Sequence, residues 1–176
     1  MTKKRTWWSS KKWGYVASVA LIPYTVIKTL WANGVVILAS EKGIEGLHAS
    51  MKTSADPVSS FLYAMGIDIT AVFALIATML AVALVKDSWR MIPCWMLLVP
   101  AYLGGTFFIY MCFSTFYKLV SGSIRISDTR EFNPWVLLPV YGGFFIWGVA
   151  IILAAISYGI RKGRSARLNV RADRSD

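Results

Sequence analysis

Apolar residues gather in four long stretches, roughly 14–40, 58–85, 91–117 and 134–160, parted by short polar segments. Each stretch reaches the ~20 residues that a helix needs to cross a hydrocarbon core ~30 Å thick. The pattern predicts an all-α fold, a four-transmembrane-helix bundle over 13–160, flanked by a basic segment at 1–12 and a basic tail at 161–176. Only short loops are left over, so no separate soluble module is expected.

Punctuation within the pattern agrees. Asp56-Pro57 and Asn133-Pro134 each place a capping side chain before a proline. That order suits a helix start, where proline's missing N–H costs nothing. Trp7, Trp8, Trp13, Trp89 and Trp95 fall near one predicted boundary and Trp31 and Trp135 near the other, the arrangement of an aromatic belt. Between the first two stretches, Ile44, Leu47 and Met51 recur at helical spacing with Glu45, His48 and Lys52 facing away, which predicts a short helix lying on the leaflet. His48 is expected to be a solvated loop residue.

Charge then orients the chain. The net charge is +10. Lys3, Lys4, Arg5, Lys11, Lys12, Lys86, Arg90, Arg161, Lys162, Arg164, Arg167, Arg171 and Arg174 fall on one predicted side. Lys42, Lys52, Lys118, Arg125 and Arg130 fall on the other, beside Glu41, Glu45, Asp56, Asp128 and Glu131. By the positive-inside rule both termini are cytoplasmic, next to anionic lipid. The first run is too long for a signal-peptide core, contains Lys28 and lacks a small-x-small cleavage site, so it reads as a retained span. No nucleic-acid-binding motif accompanies the basic residues.

Two charges interrupt the apolar stretches. Lys28 lies eleven residues from Ala39 and Asp68 eleven from Pro57, so continuous helices would bring both about 16 Å below the same boundary. An isolated ion there costs ~2.5 to more than 10 kcal/mol, which pairing reduces. The expectation is therefore a direct Lys28–Asp68 pair, either a structural clamp or a substrate or proton site. Tyr24, one turn from Lys28, and Thr70, Tyr102 and Thr106 at similar depth complete the expected polar pocket.

Prolines and paired glycines mark helix packing or kinks at Pro23, Pro100, Gly104, Gly105, Pro139, Gly142 and Gly143. Residues 95–110 and 135–147 share a Trp-to-Pro-to-Tyr-to-Gly-Gly order, and a side chain removed at Gly-Gly lets a neighbour approach the backbone. Cys94 and Cys112 stand about 27 Å apart along one predicted helix, too far for a disulfide. The chain carries no HExxH, Walker loop, GxSxG or paired haem histidines, and no metal ligand set or cofactor is expected.

Gly14-Tyr15-Val16-Ala17, Tyr24, Lys28-Thr29-Leu30-Trp31-Ala32-Asn33-Gly34, Pro93-x-Trp95 and Val99-Pro100-Ala101-Tyr102-Leu103-Gly104-Gly105 resemble a pattern of uncharacterised four-helix bacterial integral membrane proteins. The resemblance covers the first and third spans and implies a bacterial cytoplasmic-membrane location without an activity. Three function classes follow. The favoured one is a non-catalytic membrane-resident partner or immunity-type accessory protein, acting with a membrane-protein partner or as a homo-oligomer. The alternative is a small transporter or accessory permease using Lys28 and Asp68. The third is a lipid-modifying enzyme using Arg125, Asp128, Arg130 and Glu131.

Overall fold

The computed structural model describes residues 10–53, 56–86, 93–123 and 133–172, without the side chains of Pro134 and 164–172. Lys3, Lys4, Arg5, Trp7, Trp8, Trp89, Arg90 and the Arg125–Glu131 group lie outside the described residues. Within them the elements are helical: α1 (Lys12–Ala20), α2 (Ile22–Ala32), α3 (Glu41–Lys52), α4 (Pro57–Ala64), α5 (Ile69–Val85), α6 (Cys94–Val120) and α7 (Gly143–Ala172). A 3-10 turn at Pro134–Val136 and a π-helical turn at Leu138–Gly142 lead into α7.

Three segments are long and apolar enough to cross a membrane: Lys12–Ala32, which joins α1 and α2, Cys94–Val120, and Leu138–Gly163. The joint between α1 and α2 is a local repair around Pro23, which stands in the first turn of α2. The Leu21 carbonyl accepts the backbone N–H of Thr25 and also its hydroxyl at 3.0 Å. Proline elsewhere is absorbed differently. Pro100 sits inside an uninterrupted α6, and Pro139 in the wider π turn, which accommodates a residue that breaks α-helical bonding.

The expected second span departs from the pattern. Residues 58–85 form two helices, α4 and α5, that meet at 94°. Gly66, at φ +76°, is the cause. Ile67 N–H bonds Leu62 O and Gly66 N–H bonds Tyr63 O, which closes α4 in a left-handed stop that glycine adopts without steric cost. The first span is shortened by the same device. Gly34, at φ +78°, lets Val35 N–H bond Leu30 O and Gly34 N–H bond Trp31 O, so helix ends at Ala32 and 33–40 is not helical.

The core is a seam of small and branched residues: Ala17, Leu21, Ala74, Ala81, Leu84, Ala101, Trp147, Ile151, Ala154 and Ala155. Helix α7 lies at its centre, packed on α6, α1 and α5. Helix α6 buries only Leu97, Ala101 and Gly105 and rests chiefly on α7. Its seat is a glycine crossing. A Cβ on Gly105 would come 2.7 Å from Ile152 Cγ1 and 3.0 Å from Gly148 O, and one on Gly148 would come 2.9 Å from Gly105 O. Side-chain removal lets the two backbones meet, as in small-residue membrane interfaces. Gly143 approaches Ala20 O in the same way, whereas Gly142 faces open space.

The bundle has two distinct ends. At the basic end, Arg161 donates to Leu84 O at 2.6 Å and to Ser157 Oγ at 3.2 Å, and Ser157 Oγ donates to Ser10 O at 3.3 Å. The start of α1, the finish of α5 and the middle of α7 are thereby tied together, with Lys11, Lys12, Lys86 and Lys162 nearby in sequence. At the other, capped end lie α3, α4 and the turn at Pro134.

Candidate functional site, an ion pair under a helical cap

The capped end is built from helix termini. Helix α3 begins at Ser40, whose side chain accepts the Gly43 N–H at 3.1 Å. Its Ile44 buries against Ile27, Trp31 and Val136, with Leu47 alongside. This differs from a helix whose apolar side rests on lipid: Ile44 and Leu47 sit on protein, because α2 stops early and leaves an apolar end to cover. His48 is likewise not a solvated loop residue. It is half-buried, and its Nε2 lies 2.9 Å from Trp31 O. A carbonyl only accepts, so the ring donates and gives the Trp31 carbonyl a second bond beside that from the Gly34 N–H at the end of α2.

Helix α4 starts at Asp56, whose carboxylate accepts from Val58 N at 3.1 Å, Ser59 N at 3.3 Å and Ser59 Oγ at 2.6 Å. The Ser59 hydroxyl first, then the Val58 amide, hold this carboxyl below the usual carboxylate range. Asn33 links the two helix stops, donating from Nδ2 to Thr29 O at 2.7 Å and to Gly66 O at 3.2 Å.

Asp68 opens α5. Its Oδ1 accepts the Thr70 N–H at 2.8 Å and the Thr70 hydroxyl at 2.6 Å, an N-cap doubled by a side-chain bond. Its Oδ2 faces Lys28 Nζ at 3.4 Å, and the Asp68 side chain has no exposure against 16% for Lys28. The ammonium also lies 5.6 Å from the centre of the Trp31 ring, within cation–π range. The ion pair joins the last full turn of α2 to the break between α4 and α5.

Its depth differs from the sequence expectation. The count from Ala39 and Pro57 assumed unbroken helices. Lys28 is instead one turn, about 6 Å, from the end of α2 at Ala32, and Asp68 is itself a helix cap. The pair belongs to the capped end, not to the middle of the bundle.

Of the other expected pocket residues, Tyr24 is present and buried. Its hydroxyl engages the Thr70 side chain, and its ring lies 4.7 Å from that of Phe144. Tyr102 and Thr106 are not part of the centre: both are exposed on α6, which packs on α7 and turns them outward. One participant was not read from the sequence. Tyr63, 5% exposed, sets its ring edge-on to His48 at 5.3 Å, and its hydroxyl has no hydrogen bond among the described residues. Asp68 Oδ2 likewise makes no hydrogen bond among the described residues and meets Lys28 as an ion. The signals for the break itself were present: Gly66 two positions before Asp68, and Thr70 two after, spell a stop followed by a cap.

Among the described residues no group of three or more His, Cys, Asp or Glu side chains is placed to hold a metal. The arrangement is suited to hold charge and fix helix directions. No family model, curated protein or solved structure matches this chain.

Proposed function

We propose that the chain is a non-catalytic multi-pass protein of the bacterial cytoplasmic membrane, a membrane-resident partner or accessory protein in which Lys28–Asp68 is an architectural latch. In this reading four segments are embedded, α5 being the fourth. The basic end with both termini faces the cytoplasm and its anionic lipid, and the capped end faces outward. The excess of Lys and Arg toward the basic end supports the orientation.

One observation carries the latch: both carboxylate oxygens of Asp68 are used within the fold, one capping α5 and the other facing Lys28. A charge pair consumed in this way fixes how α2 meets the helix break. Breaking a buried pair costs ~3–5 kcal/mol because one ion is left uncompensated, while an apolar replacement of both is close to neutral. The test is a cycle of Lys28→Met, Asp68→Leu and the double variant, read by thermal unfolding in detergent. Each single change lowers Tm, and the double regains the part due to the stranded charge while keeping the loss of the α5 cap, about 1 kcal/mol. Single variants that keep the parent Tm overturn the latch.

A second reading, a small transporter or accessory permease, is favoured by the buried Tyr63 hydroxyl, which lacks a hydrogen bond beside a charged residue at a broken helix. Broken helices hold ligands in membrane transporters. That reading predicts single variants of parental stability that lose uptake of a labelled substrate.

A further inference from the structure

Helices α3 and α4 are neighbours at the capped end, yet their exposed surfaces have opposite character. The exposed positions of α3 include Glu41, Lys42, Glu45, Ser50 and Lys52. Those of α4 are Pro57, Val58, Phe61, Ala64 and Met65, with Val58, Phe61 and Met65 exposed by 58%, 66% and 62%. The side of α4 turned into the protein carries the hydroxyl residues instead, Ser59 and Tyr63. A helix facing water has the reverse arrangement. Positions 58, 61 and 65 follow the i, i+3, i+7 spacing of one helical stripe.

We infer that α4 lies along the outer leaflet with its Val58–Phe61–Met65 stripe embedded at the headgroup–acyl boundary, and that the membrane surface passes between α3 and α4. The occupant of the stripe is lipid. Three observations set its depth. Helix α5 has 17 residues, spanning about 25 Å, a little short of a hydrocarbon core. The bend of 94° turns α4 across the direction of α5 instead of continuing it. Asp56, the cap at the start of α4, and the charged face of α3 mark the water side. Such a helix buries one face ~5–10 Å into the boundary. The ion pair then lies beneath the surface, under α3 and beside α4, which accounts for its being neutralised within the fold.

This inference rests on the proposed orientation for the word outer, and the test separates the two. In a background with Cys94→Ala and Cys112→Ala, cysteines at Phe61→Cys, Met65→Cys and Glu45→Cys are tagged with nitrobenzoxadiazole. The protein is reconstituted into phosphatidylcholine–phosphatidylglycerol vesicles. Two stripe positions guard against one variant that fails to fold. At 61 and 65, a lipid spin-labelled near its headgroup quenches about twofold more than one labelled at the chain end, and iodide has no effect. At 45 iodide alone quenches. Iodide quenching at 61 and 65 overturns the inference in favour of water. Absence of all quenching overturns it in favour of a protein partner or second copy. Stronger quenching at the chain end overturns it in favour of a deep half-span. Labelling of a Ser10→Cys variant in intact cells by an impermeant maleimide would reverse the orientation while leaving these depths unchanged.

Discussion

Arg161 at the basic end and Asp68 at the capped end are both charged residues tucked among helices, but they find different company. The Arg161 guanidinium spreads over a backbone carbonyl and a hydroxyl, closing the finish of α5 and the side of α7. Asp68 closes the start of α5 with one oxygen and meets a cation with the other. Helix polarity explains half of this: carbonyls left at a C-terminus attract a cation, and N–H groups left at an N-terminus attract an anion. Burial explains the rest. Arg161 is half-buried, whereas the Asp68 side chain has no exposure and comes with its own counter-ion.

That contrast can be broken by substitution. The largest effect is expected for Asp68→Ala, which removes the cap of α5 and strands Lys28, at about 3–5 kcal/mol in thermal or denaturant unfolding. Arg161→Met should cost about 1.5–3 kcal/mol, the worth of hydrogen bonds to a charged group. A loss at Arg161 larger than at Asp68 would reverse the proposed ranking of the two ends.

A smaller change sharpens the picture of the capped end. Asn33→Ala deletes the bonds to Thr29 O and Gly66 O that join the two helix stops, and should cost about 1 kcal/mol. If its effect vanishes in an Asp68→Leu background, the two contacts work as one unit. Full additivity would separate them.

The smallest effect is a pH dependence. Ser59 and the Val58 amide hold the Asp56 carboxyl below the ordinary range, so its contribution is present above the unfolded value of about 3.9 and is lost as pH falls through the lower folded value. Unfolding scans from about pH 5 down to about pH 2 should show a decline in Tm that Asp56→Asn flattens. An unchanged slope in that variant would assign the acid sensitivity elsewhere.

The three long apolar segments and the Lys28–Asp68 contact were legible in the sequence because length and charge are properties of a stretch. The helix break was not. Gly66-Ile67-Asp68 sits inside a run so apolar that its average conceals one left-handed residue and one cap. Tyr102 and Thr106 were assigned to the centre on depth alone. Depth says nothing about rotation around a helix axis, and the Gly105–Gly148 crossing turns α6 toward α7. Tyr63 was passed over and His48 was read as a solvated loop residue because their role depends on how α3 and α4 fold back over α2. That is a long-range arrangement which no local spacing encodes.

The place of α7 has a consequence for synthesis. Helices leave the ribosome in chain order, yet the element that seats α6 and completes the groove between α1 and α5 is made after all three of them. Until it arrives, α6 has no glycine-lined backbone to lean on, and Ala17, Leu21, Ala81 and Leu84 lack the α7 residues of their cluster. A stop codon before Gly143 would therefore yield membrane-inserted segments without a settled tertiary arrangement, the kind of product that quality-control proteases remove.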